Sequence, residues 1–166
     1  MAVRSALTPW IPVILWIAVI AGLGSSSFQH DQTSRFIGPI LRWLLPDWSD
    51  ARIASLHGLL RKSAHLTEYA IAALLAYRAR RLGVRGQSRA ALMLPALGLV
   101  ACVAVADEGR QATIESRTGS PRDVALDVAG GLVGLGVAPF VVRRREGSDA
   151  GVRAGGARAG RGEGRG

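Results

Sequence analysis

Three stretches of this chain carry no charge at all: Ser5–Gln29, Ala90–Ala106 and Val128–Val142. A 166-residue chain is one small domain by length, and these blocks decide the solvent in which it folds. Hydrophobic residues make up 49% while mean hydropathy is only +0.23, so the apolar residues are gathered into blocks and not spread at amphipathic spacing. Blocks of this length point to a bilayer, whose core needs roughly 20 apolar residues per helix. Between the second and third lies DEGRQATIESRTGSPRDVALD, which sets Asp107, Glu108, Asp123 and Asp127 at or inside the ends of two expected spans. An Asp or Arg at mid-span costs about 2.5–3.5 kcal/mol on insertion scales, so such residues are read first as a functional site.

The net charge of +9 and a pI near 11.4 would suggest nucleic-acid binding in a soluble protein. In a membrane chain the same arginines mark cytoplasmic loops. Arg78, Arg80, Arg81, Arg85 and Arg89 fall within twelve residues, and Arg143–Arg145 follow the last apolar block. With Arg4 they predict both termini inside, which leaves the polar block and the Lys62 end of the second helix on the outer face. From Glu146 the sequence is Gly, Ala and Arg without periodicity, so residues 1–145 are expected to form the membrane domain and 146–166 a disordered cytoplasmic tail. The single cysteine, Cys102, excludes an internal disulfide and reads as a small buried hydrophobe.

The segments predict an all-α bundle of four transmembrane helices, near 9–28, 61–79, 90–111 and 121–142. The first has the charge asymmetry of a signal peptide, and small residues at 21–27 offer a cleavage site, but its apolar run exceeds the roughly 7–15 residues of a typical signal core. Pro9 and Pro12 suit a first helical turn. Phe28–Arg61 reads as an outer loop with short interfacial helices, broken by Pro39 and Pro46. Trp43 and Trp48 fit the headgroup level. Asp47, Ser49 or Asp50 caps a short helix starting near Ala51. His30 and His57 are expected to be interfacial or solvated. In the second span only Tyr69–Tyr77 is free of charge. A crossing helix must therefore reach back through Lys62, His65 and Glu68, which share one broad face with Tyr69 a turn beyond His65. The alternative for this segment is a soluble amphipathic helix.

RKSAHLTEYA, then DEGRQ, then Arg117 followed by DVALDVAGGLVG, resembles the VanZ-like family of small bacterial integral membrane proteins. The positions that carry the resemblance are Lys62, His65 and Tyr69, then Asp107, Glu108 and Gln111, then Arg117, Asp123, Asp127 and Gly130. Ser25–Phe28 is a weak counterpart of a Phe-Ser-Ser element ending the first helix. The chain departs from the pattern at Arg110, where many members carry His, and at Glu115 and Ser116, which replace a Pro-Gly turn. The resemblance covers roughly Pro9–Val142. It implies resistance to teicoplanin-type or lipoglycopeptide antibiotics in some members, and no settled biochemical activity.

Read from the residues, Glu68, Asp107, Glu108, Asp123 and Asp127 face Lys62, Arg117 and His65 in a site with restricted water. Asp107 and Gln111 are four apart, as are Asp123 and Asp127, so each pair can share a helix side. Carboxylates so arranged share a proton, bind a hard cation or pair with basic groups. One His beside them is thin support for a metal, and none is assigned. The competing reading is structural: pairs such as Lys62 with Asp107, or Arg117 with Asp123, would simply tie helices together. Gly130 and Gly134 form a small-xxx-small pattern read as helix packing, and Glu115 and Arg122 as loop charges. The expected function is a VanZ-like protein of the cytoplasmic membrane, acting on envelope chemistry or antibiotic access from the outer face. Lys62 and Arg117 would bind an anionic group, and the carboxylates would orient them or move protons. The expected partners are the lipid bilayer and an anionic or lipid-linked envelope ligand, not nucleic acid, and no cofactor is predicted. The alternative is a membrane-embedded hydrolase or transferase on a lipid-linked phosphate, although Ser63, Thr67 and Ser120 lack a base beside them in sequence.

Overall fold

A computed structural model describes the backbone of residues 7–23, 30–84, 86–113 and 120–162, and the side chains of all these except 30–36, 111 and 144–162. Among the described residues the architecture is all-α: a 3-10 turn at Thr8–Trp10, then α1 (Ile11–Leu23), α2 (His30–Leu44), α3 (Asp50–Gly83), α4 (Arg89–Ala112) and α5 (Pro121–Gly162). The core is a three-helix bundle of α3, α4 and α5, with α1 and the 3-10 turn laid against α3.

Two helices are long and apolar enough to cross a membrane, over Arg89–Arg110 and Pro121–Arg143. At 22 and 23 residues they span about 33–35 Å, which matches a hydrocarbon core of roughly 30 Å. Pro95 lies inside the first and Pro139 inside the second. The apolar helix Thr8–Leu23 is shorter, and the expected end of this segment near residue 28, with Ser25–Phe28, lies outside the described residues.

The second expected span is part of a longer object. α3 runs unbroken for 34 residues, about 51 Å. Ser49–Leu60 is therefore not a separate short interfacial helix: no proline falls between Asp50 and Gly83, and the helix carries Gly58 without a break. Its start is marked by Ser49 in extended conformation, whose carbonyl accepts from the amides of Arg52 and Ile53, and by Asp50 in the first turn. Arg80 and Arg81 in the last turn face the negative end of the helix dipole. α2 has 15 residues, is strongly amphipathic and ends just before Pro46. Pro39 lies inside it and does not break it. An exposed Arg42–Asp50 ion pair of 2.8 Å joins it to α3. His57, expected to be interfacial or solvated, is 7% exposed, because the continuous helix carries it one turn beyond the buried Ile53 on the same protein-facing side.

Small residues set the spacing of the bundle. Ala72, Ala73, Ala76 and Ala79 of α3 are buried, with Tyr69 and Tyr77 among them. A Cβ on Gly130 would meet the backbone of Leu66, with its Cα at 2.9 Å, and one on Gly134 would meet the Ala70 carbonyl carbon at 2.7 Å. A Cβ on Gly131 would instead meet Val100 Cγ1 at 2.7 Å. Two glycines thus let α5 approach α3 at backbone contact, and a third makes room for the Val100 side chain of α4. The α4 face against it is Leu92, Ala96, Val100 and Ala104, one residue every turn. Cys102 lies two residues from Val100, hence on the opposite side, and is exposed instead of buried. Leu94, Val105, Leu132, Val133 and Phe140 are exposed in the same way and give α4 and α5 an apolar outer surface. α5 continues past Val142 to Gly162 through the segment whose composition offers no apolar face.

Candidate functional site

The four-residue stripe on α4 ends in a charge: after Ala104 the next position is Glu108, and both Glu108 and its neighbour Asp107 are buried. At the same end α5 begins, and its glycine stripe runs back through Asp127 and Asp123. α3 supplies the third wall, because Gly58, Arg61, Lys62 and His65 repeat at three- and four-residue steps on one face. Together these helices enclose a pocket of about 140 Å³ lined by Gly58, Arg61, Lys62, His65, Glu108, Asp123, Leu126 and Asp127.

Asp127 forms its floor. It is 1% exposed, and its Oδ1 lies 3.4 Å from His65 Nδ1, an ion-pair contact without hydrogen-bond geometry. Neither carboxylate oxygen of Asp127 has a hydrogen-bond partner among the described residues. The hydroxyl of Tyr69, one turn below His65 and fully buried, also has none. A buried carboxylate left this way carries a large desolvation cost unless something donates to it.

Two of the other carboxylates, Asp107 and Glu108, are engaged. Asp107 Oδ1 accepts from Arg110 at 2.7 Å, so Arg110, where many VanZ-like proteins carry His, is an ion-pair partner across one helical turn. Glu108 Oε2 accepts from the Ser120 amide at 2.9 Å and so pins the start of α5 to the end of α4. Glu68 is half-buried beside α1, and its backbone carbonyl accepts from the Trp16 indole at 2.9 Å. Asp123, one turn before Asp127, shares the pocket with it.

Of the residues singled out in the sequence, His65, Glu108, Asp123, Asp127 and Lys62 line one pocket, and Tyr69 lies directly beneath His65. Lys62 is exposed at the rim and makes no ion pair with Asp107, which Arg110 occupies. Asp107 and Glu68 do not line the pocket. Gln111's side chain, and Glu115, Ser116 and Arg117 altogether, lie outside the described residues. Gly130 and Gly134 are in the α3–α5 contact just described.

Sequence reasoning did not single out Arg61 and Gly58. Both are legible once α3 is continuous, since Arg61 is four residues and Gly58 seven before His65. Among the described residues no group of three His, Cys, Asp or Glu is placed to hold a metal ion. The Thr67 hydroxyl donates to the Ser63 carbonyl at 2.8 Å, and the Ser120 hydroxyl accepts from the Arg122 amide at 3.2 Å. Both are bonded to backbone as local helix and cap groups.

No curated protein and no solved structure gives a significant match to the chain. Residues 10–142, which contain every side chain of the pocket and all three glycine contacts, match the family model described as VanZ/LLP1, and the chain belongs to that family.

Proposed function

We propose that this protein is a four-span protein of the cytoplasmic membrane whose pocket opens at the outer face and binds the anionic headgroup of an envelope lipid or lipid-linked intermediate. The spans are α1, the part of α3 near 61–79, α4 and the first part of α5. Family membership supports a membrane protein, and the charge partition supports the orientation. Glu108 bonded to Ser120, and His65 beside Asp127, lie at one end of the bundle, while Arg78, Arg80, Arg81 and Arg89 lie at the other. The arginine end then faces the cytoplasm, with the tail beyond 145 as a cytoplasmic extension. α3 is the least apolar span, and it crosses by burying its polar and small side chains against α5.

The observation that carries the reading is the pair Arg61 and Lys62 on the rim of a buried polar pocket at that outer end. At about 140 Å³ the pocket is smaller than the roughly 300–1,000 Å³ that encloses a whole drug-sized ligand, so it takes a headgroup and leaves the rest of the molecule in the bilayer. Arg61 supplies a planar fork for phosphate and Lys62 a flexible point charge; Arg117, expected from the sequence to share this role, lies outside the described residues. Occupancy of such a site would alter envelope chemistry or the access of glycopeptide-type antibiotics to it.

Purified protein in detergent, titrated with phosphatidylglycerol and followed by native mass spectrometry, tests the reading. Arg61→Gln with Lys62→Gln should weaken binding by about tenfold or more, as expected for two charged hydrogen-bond donors. Unaltered binding would overturn it. Turnover of a lipid-linked phosphate, seen as phosphate or headgroup release, would replace recognition with the membrane-embedded hydrolase or transferase reading.

A further inference from the structure

An anion held only by the rim would sit over three carboxylates. Glu108, Asp123 and Asp127 line the same pocket as Arg61, Lys62 and His65, so its charges are graded from a basic rim to an acidic floor. Glu108 is bonded to the Ser120 amide, but Asp127 is 1% exposed, faces the pocket and has no hydrogen-bond donor on either oxygen among the described residues. His65 Nδ1 lies 3.4 Å from one of those oxygens without the geometry of a hydrogen bond, and the other, equally buried, has no partner among the described residues. A buried carboxylate of this kind demands N–H donors, and a positively charged donor meets the demand best.

We infer that the pocket takes a zwitterionic group: a primary ammonium donating to Asp127, with Asp123 alongside, next to a phosphate or carboxylate held by Arg61 and Lys62. This rests on the headgroup-binding reading and narrows it to one ligand chemistry. The ammonium satisfies the orphaned oxygens of Asp127. The neighbouring anion satisfies Lys62, which has no ion pair among the described residues. A purely anionic headgroup would leave the floor unpartnered, and a quaternary ammonium has no N–H to donate.

The full chain in detergent is titrated by native mass spectrometry with phosphatidylethanolamine, its N-acetyl derivative and phosphatidylglycerol, with water-soluble glycerophosphoethanolamine as competitor. Phosphatidylethanolamine should bind about tenfold or more tighter than the N-acetyl derivative and phosphatidylglycerol, and Asp127→Asn should erase that preference. The N-acetyl comparison uses the unaltered protein and so does not depend on the variant folding. Competition by glycerophosphoethanolamine supports the proposal with a free ligand as its source; preference for the lipid without such competition supports it with a membrane-held source. Equal binding of the amine and its N-acetyl derivative, or a preference that survives Asp127→Asn, overturns it. If phosphatidylglycerol binds through Arg61 and Lys62 but the amine adds nothing, this inference falls and the headgroup reading stands. If no lipid binds, both fall.

Discussion

Replacing Gly134 with alanine tests the spacing on which the bundle depends. A Cβ at this position would meet the Ala70 carbonyl oxygen, with the carbonyl carbon at 2.7 Å and the Cα at 2.8 Å, whereas real Cβ atoms essentially never come under 3.0 Å. The obstructing atoms are backbone of a helix, so no side-chain rotation relieves the contact and α3 and α5 must move apart. Overpacking of this type costs about 1–3 kcal/mol, against which the higher helix propensity of alanine returns at most about 1 kcal/mol. With about 2–4 °C of Tm per kcal/mol for a chain of this size, the variant should melt several degrees lower. Gly136 lies half a turn away with nothing within 4 Å of a Cβ, so Gly136→Ala should leave the melting temperature level or slightly raised. Thermal unfolding of both purified variants in one detergent, read by intrinsic fluorescence of the tryptophans, makes the comparison. Equal melting of Gly134→Ala and Gly136→Ala would refute the backbone contact between α3 and α5.

Other outcomes follow from the same contacts. His65→Gln and Asp127→Asn, made singly and together, should couple by about 0.5–3 kcal/mol in a denaturation cycle, because the two side chains are in ion-pair contact; strict additivity would mean that they do not interact. Glu108→Ala removes the acceptor for the Ser120 amide and should cost about 1–3 kcal/mol with faster hydrogen exchange at Ser120, while slow exchange there would show another acceptor. Arg42→Ala should cost less than about 1 kcal/mol, since both partners of its ion pair with Asp50 are largely exposed; a larger loss would mean that α2 is held to α3 mainly by that pair. In a Cys102→Ala background, single cysteines at Gly83, Gly119 and Gly151 should label from outside intact cells at Gly119 only. Labelling at Gly83 would invert the orientation.

The sequence by itself determined that the chain is helical, where α4 and the first part of α5 run, and which family the chain belongs to. Long charge-free blocks destined for hydrocarbon leave little choice of structure, because there the backbone must bond to itself. The order Lys62, His65, Tyr69, then Asp107, Glu108, then Asp123, Asp127 was enough to indicate a family. What was misread had no local signature. Pro39 was taken as a break, yet α2 runs through it, and Ser49–Leu60 was detached from α3 although nothing interrupts that helix. Cys102 looked buried because its neighbours are apolar, but burial depends on which side of α4 meets α5. Asp107 pairs locally with Arg110 one turn along α4, but the partners across helices were decided only by the tertiary structure: Glu108 goes to the Ser120 amide and Asp127 to His65. The physical reason is that spacing along a helix fixes a residue's face, whereas the closeness of two helices is set by the smallest side chains between them. Here Gly130, Gly131 and Gly134 bring α5 to the backbone of α3 and the side chain of Val100, and that approach is what gathers the end of α4, the start of α5 and a stretch of α3 into one pocket.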